Sequence, residues 1–570
     1  MLQKIKKIRG RKPEHKENKT ASIKYFNMEE AGITGFCNFC RNNIPLIITV
    51  SITLFFTYGI RLFWHSIGQD TELFMADKSG MLKWSMAIGR FGNALLSKLW
   101  YIKEFNPYTA FFTAFCLIWF FTISWCYIIA IFSRDTVKNN KLIPFALLFM
   151  TMPVWAEQFY FLLQAAENAL IISLCPYVIY LLFKGFLDHE KGKIICAFFL
   201  LVFITSVYQA VVPLFCCGIF ACFVLLQEHS EYEPLVYRRL CLKLFITLVG
   251  SLMVYFFIDR IIIPVVFHIE RSRYLDDMNA WGQKSIRENI INLFLLCYTL
   301  TVGHIPLVQN IVNPIIARHA WAGMQAAEFF GAASKIYGNV LLLPATVFFL
   351  IKITIVMRNT IPSGRRLLYM LAGIGIPLCT ILMALMGGSW PPMRSHYALP
   401  FASAFMLFYL IRTYKKKAAL IVVCLSLFTA VYQAEITAQL FYSDQIRYNE
   451  DVRLAHELNN LIMQAQPRNR KLPVALIGRY QVASRFHENF LQGGSIGHSI
   501  FGPMQDPYTT TGRGLSFMRS LGINFDMPDE TRIEQALKEA VSMPPYPEPG
   551  CIKRMQDYIV VRISETLYEY

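Results

Sequence analysis

Charge is scarce in this sequence. Asp, Glu, Lys and Arg together make up 16% of its 570 residues, where soluble domains carry roughly 25%. With 55% hydrophobic residues and a mean hydropathy of +0.39, that shortage excludes an ordinary soluble domain. Acids are scarcer than bases, 38 against 55. The basic surplus does not read as a nucleic-acid face, because Lys and Arg cluster in short loops beside apolar runs, as they do on the cytoplasmic side of membrane proteins. No nucleic-acid partner is expected. Neither glycine-rich nucleotide-binding pattern is present, so nucleotide-driven chemistry has no support. Metal-ligand spacing is missing too: Cys37 and Cys40 form a lone C-x-x-C, a weak signal without a second pair. Most of the 14 cysteines lie inside apolar segments, where the residue is an ordinary small hydrophobe. No metal site and no cofactor are expected; the residues leave the need for a divalent cation open. There is no internal repeat and no cleavable signal peptide, since the first 42 residues are polar and basic.

What the chain has instead is a series of apolar runs close to the ~20 residues that cross a bilayer. They predict spans at 44–63, 108–132, 142–154, 169–183, 194–207, 210–226, 244–266, 340–356, 367–386, 397–411 and 418–434. Eleven spans, or thirteen in the alternative count, place a cytoplasmic N-terminus and an external C-terminus. The stretch 291–316 is apolar but broken by Gly303, Pro306 and Pro314. A full crossing there would deliver Arg358, Arg365 and Arg366 to the outside, so it reads as re-entrant or surface-lying. The fold class is thus a polytopic α-helical membrane protein with a small C-terminal α/β extracytoplasmic domain. The domains are 1–42, a basic cytoplasmic tail held to anionic lipid by its charge; 43–438, the transmembrane domain with a long outer loop at 64–106; and 439–570, the soluble α/β domain. In that last region 451–466 and 531–541 read as helices, and 474–478 and 558–563 as strands.

The outer loop 64–106 is the stretch on which a function hangs. A connection of that length usually has a job. It carries Asp70, Glu72, Asp77 and Arg90 next to membrane. A carboxylate just past a span is partly desolvated and so suited to act as a base; Asp70 is the first candidate and Glu72 the second. Asp77, beside Lys78, reads as a solvated acid. Arg90 follows Trp84 in GRFG, where it pairs with Asp70 or holds a phosphate. The other outer loops carry Glu157 among aromatic residues that suit a sugar ring, Tyr208 and Gln209 at a hairpin tip, and Arg394 and His396 behind a double proline. They also carry Arg271, Arg273, Asp276, Asp277 and His304; His304 and His319 are lone histidines with a structural reading. An outer face holding carboxylates and arginines suits a phosphate-bearing substrate and a hydroxyl acceptor.

The order of short motifs resembles a known family. An acidic outer loop after the first span is followed by W…GR, then by P-x-W-x-E-Q-F-x-F at 153–161, S-x-Y-Q-A at 206–210 and R-x-H-x-A-L-P at 394–400; GGSIGHSIFGP at 493–503 and LGI at 521–523 follow in the tail. This pattern resembles the bacterial glucosyltransferase family II, the O-antigen side-chain glucosyltransferases of the C-type glycosyltransferase class. The family pattern has two adjacent acids in the first outer loop; here Asp70 and Glu72 are separated by Thr71.

The resemblance implies an enzyme of the bacterial inner membrane that moves a sugar, typically glucose, from undecaprenyl phosphate to a surface polysaccharide on the outer side. It implies Asp70 or Glu72 as the catalytic acid pair, with Asp70 as general base. Arg90, Arg394 and His396 fall on the lipid-phosphate side, and Trp84, Glu157, Tyr208 and Gln209 on the sugar or acceptor side. Its pathway partners are a flippase and an enzyme that makes the lipid-linked sugar. The competing classes are a lipid-linked sugar flippase and a polysaccharide polymerase or ligase. Transporters usually show internal repeats and mid-span charges, which are missing here, and a flippase has little use for a 130-residue outer domain.

Overall fold

The apolar runs form helices in a computed structural model of the chain, which describes residues 32–100, 105–134, 140–229, 232–274, 280–303, 305–317, 333–388, 390–467, 471–482, 490–502 and 506–568. Most of the basic tail, together with Asp276, Asp277, His304 and His319, lies outside the described residues. Eight helices among the described residues are long and apolar enough to cross a membrane. The first, Ile44–Phe63, has 20 residues, about 30 Å at 1.5 Å per residue, which matches the hydrocarbon thickness. Pro107–Ser133 starts where Asn106 accepts from the Tyr108 and Thr109 N–H groups and Pro107 fills the first turn.

Three of the eleven expected spans fall short of that test. The expected 194–207 and 397–411 are helices at Lys191–Val207, with 17 residues, and Ala398–Thr413, with 16. The expected 142–154 is a bent pair, Leu142–Thr151 and Val154–Tyr160, meeting at 50°. Pro153 has no N–H to continue the helix, and the break frees carbonyls that water cannot reach. Side chains satisfy them. Trp155 Nε1 donates to the Phe149 carbonyl at 2.6 Å, Tyr58 Oη to Met150 at 2.7 Å and Thr437 Oγ1 to Thr151 at 2.8 Å. Counting the bent pair as one span gives nine. The sequence WAEQFYF, expected as an external segment, is buried inside the bundle at this bend.

The broken stretch 291–316 becomes two helices, Ile286–Thr301 and Pro306–Ala317, neither of spanning length. Ser285 and Glu288 close a reciprocal cap at the start of the first.

One helix, Lys416–Ala465, runs for 50 residues, about 75 Å. Its first half is apolar. Its second half carries the acids and arginines of 444–457 into the C-terminal region, so the 438/439 boundary falls inside a continuous helix. Beyond it lies a three-stranded sheet in the order β1 (Val474–Ile477), β3 (Ile559–Arg562), β2 (Ile552–Arg554), with β1–β3 parallel and β2–β3 antiparallel. The helices Pro507–Ser520 and Glu530–Ala540 cover it. Each sits where the residue pattern placed a helix or where an aspartate cap, Asp506 or Asp529, opens one.

A buried charge network ties the long helix to the loop after the first span. Arg447 donates to Asp444 at 2.6 Å, to Asp451 at 3.1 Å and to the Ile67 carbonyl at 2.9 Å. Arg61 binds Ser66, whose hydroxyl donates to Asp444 at 2.5 Å. Ser499 Oγ and the Ile500 N–H complete Asp451 at 2.5 and 3.0 Å. Two arginines against two aspartates leave no net charge, the condition under which ion pairs tolerate burial.

Candidate functional site

Asp70 stands where this loop turns into the short helix Thr71–Ala76. Its φ is +67°, a left-handed conformation that aspartate tolerates better than most residues. The Gln69 N–H donates to Tyr160 Oη at 2.9 Å, which fixes the turn from the bend of the broken helix. Asp70 occupies the N-cap position but makes no side-chain cap bond. Its carboxylate instead meets Arg513, from the helix Pro507–Ser520. The other terminal nitrogen of the same guanidinium donates to Glu72 Oε1 at 2.7 Å. One arginine therefore bridges Asp70 and Glu72. The Asp70 side chain is 34% exposed and that of Glu72 is fully buried.

Burial raises the Glu72 pKa to about 7; Arg513 opposes that rise and the negative charge of Asp70 adds to it. The Arg513 guanidinium stays charged: burial lowers its pKa, but Glu72 and Asp70 more than restore it, above the ordinary value. The pairing of Arg90 with Asp70 that the sequence suggested does not form; Asp70 is held by Arg513 instead.

Arg90 sits over the Tyr208 ring at 4.5 Å. Among the described residues it meets no carboxylate, and its Nε is buried without a partner. The turn that presents it is built by Gln209 and Tyr255. Gln209 Nε2 donates to Tyr255 Oη at 2.8 Å and to the Ile88 and Gly89 carbonyls at 3.3 Å, and Tyr255 Oη donates to Gly89 at 3.0 Å. Gly89 has φ +75°, and a Cβ there would lie 2.5 Å from Tyr255 Oη. Only glycine meets both demands.

Tyr208 continues the arrangement. Its ring stacks on Tyr397 at 5.4 Å, and its hydroxyl lies 3.3 Å from Ser395 Oγ. Next to Ser395, Arg394 lies over the Phe161 ring at 4.6 Å and donates to Ser495 Oγ at 3.0 Å. Arg394 also meets no carboxylate within ion-pair distance among the described residues. Burial would lower its pKa, but Tyr208, Tyr274, Asp70 and Glu157 hold it above the ordinary value. Arg394 is therefore within electrostatic reach of Asp70. Trp84 is 42% exposed and packs edge-on to Tyr274, with ring centroids 6.0 Å apart.

Two of the expected residues occupy different places. Glu157 is buried and taken up by protein donors: the Gly494 N–H at 2.7 Å, the Ser495 N–H at 2.9 Å and the Tyr337 hydroxyl. It anchors the tail loop 490–502 rather than facing an opening. His396 is buried, with Nδ1 against the Thr380 carbonyl at 3.2 Å, and burial lowers its pKa to about 4. It brings no positive charge near pH 7. Asp77 caps the helix Lys78–Ala87 through the Gly80 N–H, as a loop acid does. Arg271 pairs with the buried Asp259 at 3.5 Å, beside the Gly89 turn.

Sequence reasoning missed Arg513, Tyr337 and Ser495. Arg513 lies in TGRG, which carries no pattern that marks a functional arginine. GGSIGHSIFGP was visible as a motif, but nothing in it indicates that its first residues close on Glu157. Among the described residues no group of His, Cys, Asp and Glu has the arrangement of a metal site.

The sequence profile described as Glucosyl transferase GtrII matches residues 62–411, more than half of the chain. The matched region holds Asp70, Glu72, Arg90, Glu157, Tyr208 and Arg394. No curated protein matches the chain.

Proposed function

The chain belongs to the glucosyl transferase GtrII family, and from that premise we propose that it transfers a sugar, glucose by family, from a polyprenyl phosphate to a hydroxyl of a surface polysaccharide. One observation carries this reading: Arg90 and Arg394, two arginines with no carboxylate partner among the described residues, gather around Tyr208 and Ser395, and Arg394 is within electrostatic reach of a partly exposed carboxylate, Asp70. Uncommitted cations attract an anion, and a carboxylate beside them takes a proton.

In this reading Arg90 and Arg394 hold the donor phosphate. The acceptor O–H gives its proton to Asp70 while its oxygen bonds to the anomeric carbon. The bond from that carbon to the phosphate oxygen breaks, and the electron pair leaves with polyprenyl phosphate. The arginines stabilise the charge that develops on the leaving group. The phosphate leaves as a stable anion, so no acid is needed to protonate it. Such a single displacement inverts the anomeric centre. Glu72 is buried and bound to Arg513, so Asp70 is the acid with access to an acceptor. Trp84 and Tyr274 offer aromatic faces to a sugar at the rim.

We place this chemistry on the outer surface of the bacterial cytoplasmic membrane. Eleven crossings, made of the eight long helices, the bent pair and the two shorter helices, leave the C-terminal region outside. A cysteine introduced at the exposed Val541 would then be labelled by an impermeant reagent in intact spheroplasts; protection of that site there would reverse the topology.

Activity is tested with purified protein in vesicles, polyprenyl-phosphate-linked glucose and a polysaccharide acceptor, scored for covalent transfer. Asp70→Asn is expected to lower transfer by about 10²- to 10⁴-fold, the usual share of a general base, with expression and melting behaviour kept. Transfer at the normal rate in that variant removes Asp70 as the base.

A further inference from the structure

The region matched by the family ends at residue 411, yet the carboxylate proposed as the base is held from outside it. We propose that Arg513 is the positioning residue of Asp70, so that the segment after the last apolar half-helix is part of the catalytic apparatus. This inference rests on the reading of Asp70 as the base.

The geometry is that of a fork. A guanidinium is planar and presents its nitrogens in fixed directions. One terminal nitrogen of Arg513 meets Asp70 Oδ1 and the other meets Glu72 Oε1. The fully buried Glu72 fixes the guanidinium, and the guanidinium fixes Asp70. Asp70 Oδ2 has no hydrogen-bond partner among the described residues, which leaves that oxygen for an acceptor proton. The left-handed backbone at Asp70 is strained for a residue with a Cβ, and the charge-assisted bond to Arg513 offsets that strain. Glu72 thus acts through Arg513 and not on a substrate.

Arg513 is itself rigidly placed. Two residues before it, Thr511 Oγ1 accepts from the Leu476 N–H at 3.1 Å and donates to the Leu476 carbonyl at 3.0 Å, which pins the helix Pro507–Ser520 to β1. The residue after it is Gly514, where a Cβ would lie 2.6 Å from Leu476 Cδ1. A second contact from the same segment reaches the other half of the site: Ser495 accepts from Arg394, and its N–H binds Glu157. The C-terminal region thus touches both the proposed base and a proposed phosphate ligand.

The test compares Arg513→Gln, Arg513→Lys and Asp70→Asn in the same vesicle assay with lipid-linked glucose. The readouts are kcat, donor KM, the pH dependence of kcat and the melting temperature. Misplacing a reacting group by about 1 Å costs about 10²-fold, so Arg513→Gln is expected to lower kcat by that order. Donor KM stays close to the normal value, because Arg90 and Arg394 hold the phosphate. Arg513→Lys restores the charge but not the fork, and recovers part of the rate with an altered pH dependence. If Arg513→Gln does not fold, the lysine variant carries the same comparison. Normal kcat and pH dependence in the Arg513 variants, with Asp70→Asn inactive, overturn the inference while leaving the base in place. Full transfer by Asp70→Asn overturns both.

Discussion

Replacing Glu72 by glutamine isolates one buried charge. In the fold its pKa is raised by burial from 4.5 to about 7. The folded state therefore holds the Glu72 proton more tightly than the unfolded chain. The stability this gives is fully present below pH 4.5 and is lost as the pH rises through about 7. At about 1.4 kcal/mol per pH unit, the full loss is about 3.5 kcal/mol, of which about 2.5 kcal/mol falls between pH 5 and pH 8. The charged groups facing Glu72 are Arg513 and Asp70. Arg513 stays protonated throughout that window, and Asp70 is common to both proteins. Glutamine has the shape of the protonated acid and does not titrate. The stability of Glu72→Gln relative to the normal protein should thus increase by about 2.5 kcal/mol from pH 5 to pH 8. Melting temperatures of both proteins in one detergent, taken across that range, measure the trend. A difference that does not change with pH would show that Glu72 ionises as an exposed acid does, and the buried fork with Arg513 would be refuted. The same titration should mark activity. When Glu72 loses its proton, the cluster of Asp70, Glu72 and Arg513 gains a negative charge beside the proposed base. The rise of kcat near pH 7 should be missing in Glu72→Gln.

Two further substitutions probe how the site is supported. Gly89→Ala places a methyl group 2.5 Å from Tyr255 Oη at a φ of +75°; the turn presenting Arg90 should shift and donor KM rise, read by steady-state kinetics. Arg447→Met leaves Asp451 buried without its cation and Asp444 with Arg61 alone, a loss of roughly 3–5 kcal/mol, visible as a lowered melting temperature even though Arg447 touches no substrate.

Much of the scaffold was legible because it depends on local chemistry. Apolar runs near the length of a bilayer crossing became helices, and β1 and the helix Glu530–Ala540 arose where the residue pattern placed them. The bend at Pro153 was only half legible. Proline marks the break, but the burial of WAEQFYF depends on Tyr58, Trp155 and Thr437 supplying donors from three helices. Glu157 shows the same limit: an acid among aromatic residues looks like a sugar ligand until Gly494, Ser495 and Tyr337 close on it.

By itself the sequence determined that this chain is a many-helix membrane protein, and that its informative acids and arginines lie near the ends of its apolar runs. Those conclusions follow from hydropathy and from the energetic cost of placing charge in hydrocarbon, which each segment carries alone. Only the tertiary structure decided which cation meets which acid. Asp70 and Arg513 are separated by 443 positions in the chain, and no periodicity or spacing encodes that approach. It exists because the long helix Lys416–Ala465, locked by Arg447 to the loop after the first span, returns the C-terminal segment to the start of the chain.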